Sequence, residues 1–330
     1  MHIRCVGVKM SLFSSVKKRK TQQFISVIVQ ETDCKIKQKI VKNKDILHIE
    51  EYSYDIPSKE NLGPKVNQFL INLQEEYDNT YIALFLNTLG QGVIPVCDER
   101  ELEKYHIDRT KVKNICVDQR FLMYATKADI NWADKAFKDI GLDFVFSPFL
   151  VLDHYIQKEE VVEDQVILHI LNTSNALTLM INRGKKLLYG SFFNVAKEEN
   201  LLYTDYSNPD DELQESALDE LDLEEDELEI DEIGTISENS NFVNNVLKER
   251  ARLSEQDERV IKYLSTALKE FYANDLYESD FITNAKIYDA AGMDEGVMNY
   301  IENELLLDTN AVNISVRDAI LELSQQEVMN

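Results

Sequence analysis

A three-strand unit that occurs twice is the feature that most constrains the fold of this chain. Short runs rich in β-branched and aromatic residues, separated by turn residues, are typical of strands. Three such runs open each half: Phe24–Gln30, Cys34–Val41 and Ile46–Tyr52, then Val166–Leu171, Ala176–Ile181 and Lys186–Phe193. In the second unit, Gly184 closes a hairpin turn that needs positive φ. A unit repeated after about 140 residues predicts two duplicated domains.

Helices and further strands follow both units. In the first half, Ile130, Ala133, Phe137 and Ile140 fall on one helical face, and a strand and a helix come after them. In the second half, Ser254 opens a helical stripe that is again followed by strand, helix and strand. The sequence therefore predicts an α/β fold of two mixed sheets, each opening with a three-stranded antiparallel meander and flanked by helices. We expect the first domain over residues 21–157 and the second over 160–330.

Two insertions interrupt the repeat. Residues 55–113 carry an amphipathic helix and an apolar strand, Tyr81–Leu86, and are predicted to form an added subdomain. Residues 200–250 surround an acidic tract, with sixteen Asp and Glu and no Lys or Arg between 205 and 238. Such a composition predicts a mobile segment, with partner-induced helix as the alternative because leucines are spread through it.

The charge balance excludes one class of function. The net charge is −25, whereas a protein that binds nucleic-acid phosphates needs a basic footprint. No run of 18 apolar residues occurs, so no membrane-spanning helix is expected. Residues 1–20 are interpreted as a flexible basic leader without a secretory signal, with Met1 and Met10 both candidate starts. These features predict a cytoplasmic protein.

The four cysteines carry no metal-site or redox motif. Cys5, Cys34, Cys97 and Cys116 form no C-x-x-C pair and lie in no Cys/His cluster with zinc spacing. We therefore expect four reduced thiols and no bound metal.

An ordered series of segments resembles a known group of proteins. The segments are Met10–Lys20 with the following strand and CKIKQ, Phe137–Leu152, Val166–Gly184 and Thr283–Val316. Together they resemble the actin-like ATPase superfamily, in particular the family of the pilus-assembly protein PilM. The cytoplasmic domain of the type II secretion protein GspL shares the same outline. The resemblance implies two duplicated actin-like (RNase H-like) domains around a nucleotide cleft.

The first phosphate loop departs from the family pattern. An actin-like ATPase needs a carboxylate at the end of each phosphate-loop strand to hold Mg²⁺ through its waters. It also needs glycines so that backbone N–H groups can approach the phosphates. When Lys35 is aligned with the family lysine, Ile28 stands at the Asp position and Gln30 at the first Gly position.

The second loop and the adenosine turn depart in the same way. His169 stands at the second Asp position and Leu171 at the Gly position, while Ala290-Ala291 replaces the glycine pair and only Gly292 is kept. The joint loss predicts a degenerate cleft without catalysis, and we expect no cofactor. ATP and Mg²⁺ belong to the alternative, a diverged ATPase or sugar-kinase-like enzyme.

Some cleft residues keep two interpretations open. His169 is either a ligand or base, or a buried histidine in an apolar strand, which is the favoured interpretation. Asn172, Thr173, Ser174 and Asn175 form either an ordinary hairpin turn or a functional one, which would be a remnant phosphate loop or a polar floor for a bound peptide. An enzyme would need carboxylates that converge on the cleft, and the candidates are Asp33, Asp118 and Asp289.

The resemblance also implies a partner. PilM-like proteins bind a short cytoplasmic tail of an inner-membrane protein in a groove between subdomains, which predicts a non-catalytic scaffold recruited to the inner membrane. An assembly ATPase and a second copy of the chain are further candidate partners. The strands Tyr81–Leu86 and Val93–Val96 are very apolar, so Phe85, Leu86, Val93 and Ile94 are predicted to contribute to an exposed binding patch.

Overall fold

The computed structural model describes residues 21–160, 163–196 and 254–329 of the chain. The basic leader and the acidic tract predicted from the sequence lie outside the described residues. The strands of the described residues are β1 (Gln22–Val29), β2 (Asp33–Lys42), β3 (Asp45–Asp55), β4 (Thr80–Phe85), β5 (Gln91–Ile94), β6 (Val112–Val117), β7 (Phe121–Thr126), β8 (Phe144–Phe146), β9 (Val166–Asn172), β10 (Ala176–Arg183), β11 (Lys186–Asn194), β12 (Asn284–Asp289) and β13 (Asp308–Asn313).

Four of the helices of the described residues begin at a side chain that caps them. The helices are α1 (Gly63–Glu76), α2 (Lys127–Ala136), α3 (Pro148–Lys158), α4 (Glu255–Ala273), α5 (Glu295–Asn303) and α6 (Val316–Met329). At α4, Ser254 and Asp257 form a complete capping box, which satisfies two N–H groups at the helix start. Ser147 caps α3 by accepting from the N–H of Phe149, and proline follows at the first helical position. None of the helices of the described residues has a long enough apolar run to cross a membrane.

The two main sheets have the same strand order. The first runs β3-β2-β1-β4-β8 and the second β11-β10-β9-β12-β13. In each sheet the three opening strands pair antiparallel, and the two later strands join in parallel. Parallel neighbours need a crossover, which the intervening helices supply. The predicted fold class, two duplicated mixed sheets flanked by helices, is confirmed.

The inserted subdomain has different boundaries from those expected. Helix α1 packs on the first sheet, and β4 is hydrogen-bonded to β1 inside that sheet. The separate unit is a third sheet with the strand order β5-β7-β6. A short 3₁₀ helix, Glu99–Tyr105, lies between β5 and β6 along the chain. The sequence analysis assigned α1 and β4 to this unit. Apolar periodicity shows which face of an element is buried, but it does not show which neighbouring element that face packs against.

One cysteine pair corrects the expectation of reduced thiols. Cys97 and Cys116 form a disulfide, with their Cα atoms 5.1 Å apart. Cys97 lies just beyond the end of β5 and Cys116 lies in β6, so the third sheet brings together two residues that no short motif links. Cys34 is a free, buried thiol in β2.

The last helix of each half packs against the sheet of the other half. Helix α3 contacts β9 and β10 of the second sheet, and α6 contacts β1 and β4 of the first. Phe149 and Leu152 of α3 share one buried cluster with Met180 of β10 and Ile320 of α6. Lys37 of β2 also pairs with Asp318 of α6 at 2.6 Å. The two halves are therefore joined by a common core.

Candidate functional site

The hairpin turns that open the two repeats meet each other. The Nε2 atom of Gln30, after β1, donates a 2.8 Å hydrogen bond to Oγ of Ser174, after β9. Gln256, at the start of α4, donates to the Ser174 carbonyl at 3.2 Å. In the β9–β10 turn, Thr173 is buried and its hydroxyl donates to the Ala176 carbonyl at 3.0 Å. The structure thus brings the two predicted phosphate-loop equivalents together, with polar groups that bond to one another.

The first of these turns has no metal-binding carboxylate at the position that the resemblance implies. Ile28 pairs with Lys35 in the antiparallel register of β1 and β2, and its side chain packs against the shared core. Lys35 lies 3.6 Å from Asp33 and is well exposed. An apolar side chain in this place cannot hold Mg²⁺ or its waters.

Asp289, at the end of β12, accepts hydrogen bonds through both of its carboxylate oxygens. Its Oδ1 accepts from the N–H groups of Ala291 and Gly292, at 3.1 and 2.9 Å, and its Oδ2 from Met293 at 2.8 Å. Asn172 adds its side-chain amide at 2.8 Å. Partial burial alone would raise the pKa of this carboxyl, but the hydrogen bonds from Met293, Asn172 and the other two N–H groups outweigh it and lower the pKa. Gly292 takes the positive φ that this turn requires.

His169 is a buried, neutral side chain. It is 2% exposed, and its Nδ1 has no hydrogen-bond partner in the described part of the chain. Burial, with a smaller contribution from the Lys286 charge, lowers its pKa to about 3. A general base at neutral pH needs a pKa near that pH, so the imidazole does not suit acid–base chemistry. This agrees with the favoured interpretation of His169 as a buried residue in an apolar strand.

A charged group beside His169 was missed from the sequence. Lys286, its register neighbour on β12, pairs with Glu159 at 2.5 Å, and the Tyr288 hydroxyl donates to the same carboxylate. Tyr288 also stacks on His169, with ring centroids 6.1 Å apart. Glu159 follows α3 and ends the first half, so this cluster joins the two domains. The sequence offered no signal for it, because Lys286 and Tyr288 are distant along the chain from Glu159 and His169.

The candidate carboxylates do not assemble a metal site. Within residues 21–160, 163–196 and 254–329, no three His, Cys, Asp or Glu side chains are grouped as metal ligands would be. Asp118 lies in the turn after β6, on the third sheet. Asp289 is occupied as described above.

A groove of about 940 Å³ lies between the third sheet and the shared core. Its apolar lining includes Leu86, Ile115, Met123, Phe146 and Leu323. The predicted partner patch is wrong as an exposed surface, since Phe85, Leu86, Val93 and Ile94 are all buried, at 6% exposure or less. Phe85 and Val93 pack in the shared core and Ile94 in the core of the third sheet. Leu86 alone of the four lines the groove.

Two strand edges border this groove. β6 is an outer strand of the third sheet and β8 is an outer strand of the first, so each has one paired neighbour within the described residues. Residues 113–117 of β6 and residues 145–146 of β8 line the groove. Outer strands present unpaired N–H and C=O groups, to which another extended chain can bond.

Charged side chains of α3 and α6 line the groove, and other charged residues bind them. Arg120 binds Asp153 through two hydrogen bonds, at 2.7 and 2.6 Å. Glu322 accepts from Lys158 and contacts His154 at 2.9 Å. Glu327 lies near Asp118, and burial together with this like charge raises its pKa. The groove therefore combines an apolar lining with an acidic end.

Comparisons with known proteins agree with this architecture. Family profiles match residues 20–153, described as a domain of unknown function (DUF8569), and residues 168–329, described as a domain of unknown function (DUF8341). No curated protein matches the chain. A solved structure from Bacteroides thetaiotaomicron, a protein with actin-like ATPase fold and unknown function, is 11% identical, with a TM-score of 0.51 over 94% of this chain and 99% of that one.

Two further solved structures are similar at lower scores. The PilM–PilN type IV pilus biogenesis complex is 12% identical, with a TM-score of 0.49 over 92% of this chain and 93% of that one. The ethanolamine utilization protein EutJ from Carboxydothermus hydrogenoformans is 7% identical, with a TM-score of 0.39 over 93% and 90%. The duplicated sheets, their common strand order and the similarity to the Bacteroides protein together identify this chain as a protein with the actin-like ATPase fold.

Proposed function

We propose that the chain is a non-catalytic actin-like scaffold that binds an extended cytoplasmic segment of an inner-membrane protein, in a type IV pilus or type II secretion assembly. The observation that carries the proposal is the groove between β6 and β8. The scaffold acts in the cytoplasm and is recruited to the membrane by this partner.

The state of the nucleotide loops supports a role without catalysis. Ile28 and His169 stand where the families that the sequence resembles carry metal-binding carboxylates. The Asp289 carboxylate accepts hydrogen bonds from the backbone N–H groups of the turn at Gly292. These N–H groups are therefore not free to bind a phosphate oxygen. Each of these features opposes the binding of Mg-ATP.

The shape of the groove supports an extended ligand. β6 has six residues, and a strand rises about 3.3 Å per residue, so its free edge offers roughly 20 Å for a bound segment. Main-chain hydrogen bonds along this edge would supply affinity, and the apolar pockets at Ile115, Met123 and Leu323 would supply specificity. The net charge of −25 favours a basic segment and speeds its association.

The resemblance of Met10–Lys20, Val166–Gly184 and Thr283–Val316 to the PilM family supports the choice of machine. It is a sequence argument and independent of the groove. We infer from both that the bound segment comes from a membrane protein of the same assembly.

The proposal is tested by photo-crosslinking in cells. A photoreactive residue at Asn114, in the groove, is compared with one at Asn310, in the distant edge strand β13. We expect Asn114 to crosslink to the cytoplasmic tail of a pilus or secretion membrane protein, and Asn310 not to do so. A synthetic peptide of that tail should then bind the purified chain, and Ile115→Lys should weaken binding at least tenfold.

The matched control is Val312→Lys, which introduces the same charge on an exposed strand away from the groove. It should bind the peptide as the wild type does. Crosslinks of equal strength from both positions, or a rise in melting temperature with Mg-ATP, would contradict the proposal. Ligand at 100 times its Kd stabilises a protein by about 2.7 kcal/mol, which a thermal-shift assay detects.

A further inference from the structure

The Cys97–Cys116 disulfide lies at the wall of the groove. Cys116 and its neighbours in β6 line the groove, and Cys97 belongs to the segment that follows β5. The bond thus joins the segment after one outer strand of the third sheet to the other outer strand. Apart from this bond, β6 is held in its sheet by pairing with β7 on one side.

The accessibility of the sulfurs separates this pair from the remaining described cysteine. Cys116 is exposed and Cys97 is partly exposed, so an external thiol can approach the bond. Cys34 is completely buried, and burial, with a smaller effect of Asp33, raises the pKa of its thiol to about 12. A thiol in such surroundings is chemically inert, because the thiolate is the reactive form. Two of the described cysteines are therefore suited to exchange and the third is not.

We propose that Cys97 and Cys116 form a reversible thiol–disulfide exchange site, and that its redox state sets how firmly the β6 edge of the groove is held. The inference rests on the proposed function, which assigns the chain to the cytoplasm. Disulfides in that compartment are typically transient and redox-sensing. The co-reactant is a small thiol–disulfide couple of the glutathione class.

The exchange balances without a metal or a cofactor. In the reducing direction, the small thiolate attacks Cys116 Sγ, forms a mixed disulfide and releases Cys97 as a thiolate. A second small thiolate attacks the outer sulfur of the mixed disulfide, which releases the small disulfide and the Cys116 thiolate. Two electrons enter the pair, and the two thiolates take protons from water according to their pKa values. Oxidation follows the reverse steps.

Reduction frees the loop that the bond closes. The two cysteines are 19 residues apart, and the loop between them contains the 3₁₀ helix and residues 112–115 of β6, the strand that borders the groove. A cross-link restricts such a loop, and removing it allows more open states. In the reduced protein we expect more frequent opening of β6 from β7, and therefore a less ordered groove edge.

The test uses the full chain with Cys5→Ser, which removes a competing thiol. The protein is equilibrated in glutathione buffers across the cytosolic range, and thiols are counted by alkylation and mass spectrometry. Amide hydrogen exchange is followed over residues 112–117 of β6 and, for comparison, in β1. We expect Cys97 and Cys116 to change state together and Cys34 to remain a thiol. The β6 amides should exchange several-fold faster in the reduced state, with β1 unchanged.

Variants give a second line of evidence. Cys97→Ser/Cys116→Ser should match the reduced wild type in every buffer, and Cys34→Ser should keep the redox response. If the double variant fails to fold, reduced wild type supplies the same comparison. A pair that stays oxidised or reduced in all buffers, or β6 exchange that is equal in both states, would overturn the inference. No partner is needed, so this result is independent of whether the groove binds a membrane protein.

Discussion

The side-chain amide of Gln30 donates a 2.8 Å hydrogen bond to the hydroxyl of Ser174, 144 residues further along the chain. The two residues occupy the first turn of each repeat, so equivalent points of the two domains touch. In the families that the sequence resembles, these turns hold the phosphates of a nucleotide. In this protein the two turns are hydrogen-bonded to each other.

Removing the Gln30 side chain should therefore cost little stability, and the size of this cost should depend on whether the Ser174 hydroxyl is present. The bond is exposed, so we expect Gln30→Ala to lower the free energy of unfolding by about 0.5–1 kcal/mol. Ser174→Ala should cost a similar amount, and the double variant no more than either one. Urea unfolding of all four proteins measures this coupling. Strictly additive losses would show that the bond does not form in solution.

The Asp289 loop should show acid sensitivity of a definite sign. The pKa of Asp289 is lowered in the folded protein, so its contribution is complete above the unfolded value of about 3.9 and is lost as pH falls through the folded pKa. Asp289→Asn should destabilise the protein by about 1–3 kcal/mol at pH 7, and by less in acid. Denaturant unfolding from pH 7 down to pH 3 compares the two proteins. A difference that does not shrink in acid would contradict the assignment.

His169 should make stability depend on pH in a higher range. Its folded pKa of about 3 lies below the unfolded value. At a pH between the two values, the unfolded chain is protonated at His169 and the folded chain is not. Stability is complete above about pH 6.5 and falls by up to about 1.4 kcal/mol per pH unit as the pH drops towards the folded pKa. His169→Leu should flatten this part of the curve. His154, whose pKa burial also lowers, contributes in the same direction, so the His154→Gln variant is measured in parallel.

The contact between the third sheet and the second domain depends on Gly190. A Cβ atom on this β11 residue would lie 2.2 Å from Cγ2 of Val93 in β5. Gly190→Ala should therefore destabilise the protein by about 1–3 kcal/mol through overpacking. Adding Val93→Ala removes the clashing methyl group and should recover part of the loss, although Val93→Ala alone is destabilising. Thermal unfolding of the two single variants and the double variant tests this, and the absence of any recovery would refute the contact.

The sequence predicted the repeat well because strands and helices leave local signals. The β-branched runs at Phe24–Gln30 and Val166–Leu171 mark strands wherever their partners lie. Neighbours are harder to predict, because they depend on contacts between distant residues. The burial of Phe85, the Cys97–Cys116 bond and the Gln30–Ser174 bond are all of that kind. The pattern of residues in a single sequence does not show which distant side chains will be in contact.

The same limit applies to the groove. Most of its lining comes from β6, β7, β8, α3 and α6, and none of these elements is unusual alone. Leu86 was the one predicted partner residue that lines it, and it was selected for apolarity and not for position. The acidic end, at Asp118 and Glu327, arises because a turn of the third sheet lies near the end of the last helix.

The exchange of α3 and α6 between the two sheets has a consequence for how the gene could be divided. Each half leaves one face of its own sheet uncovered unless the other half supplies the covering helix, so neither half is expected to be an autonomous folding unit. Chains ending at residue 160 and beginning at residue 163 should be insoluble when expressed separately. Expressed together, they should reconstitute the native protein by fragment complementation.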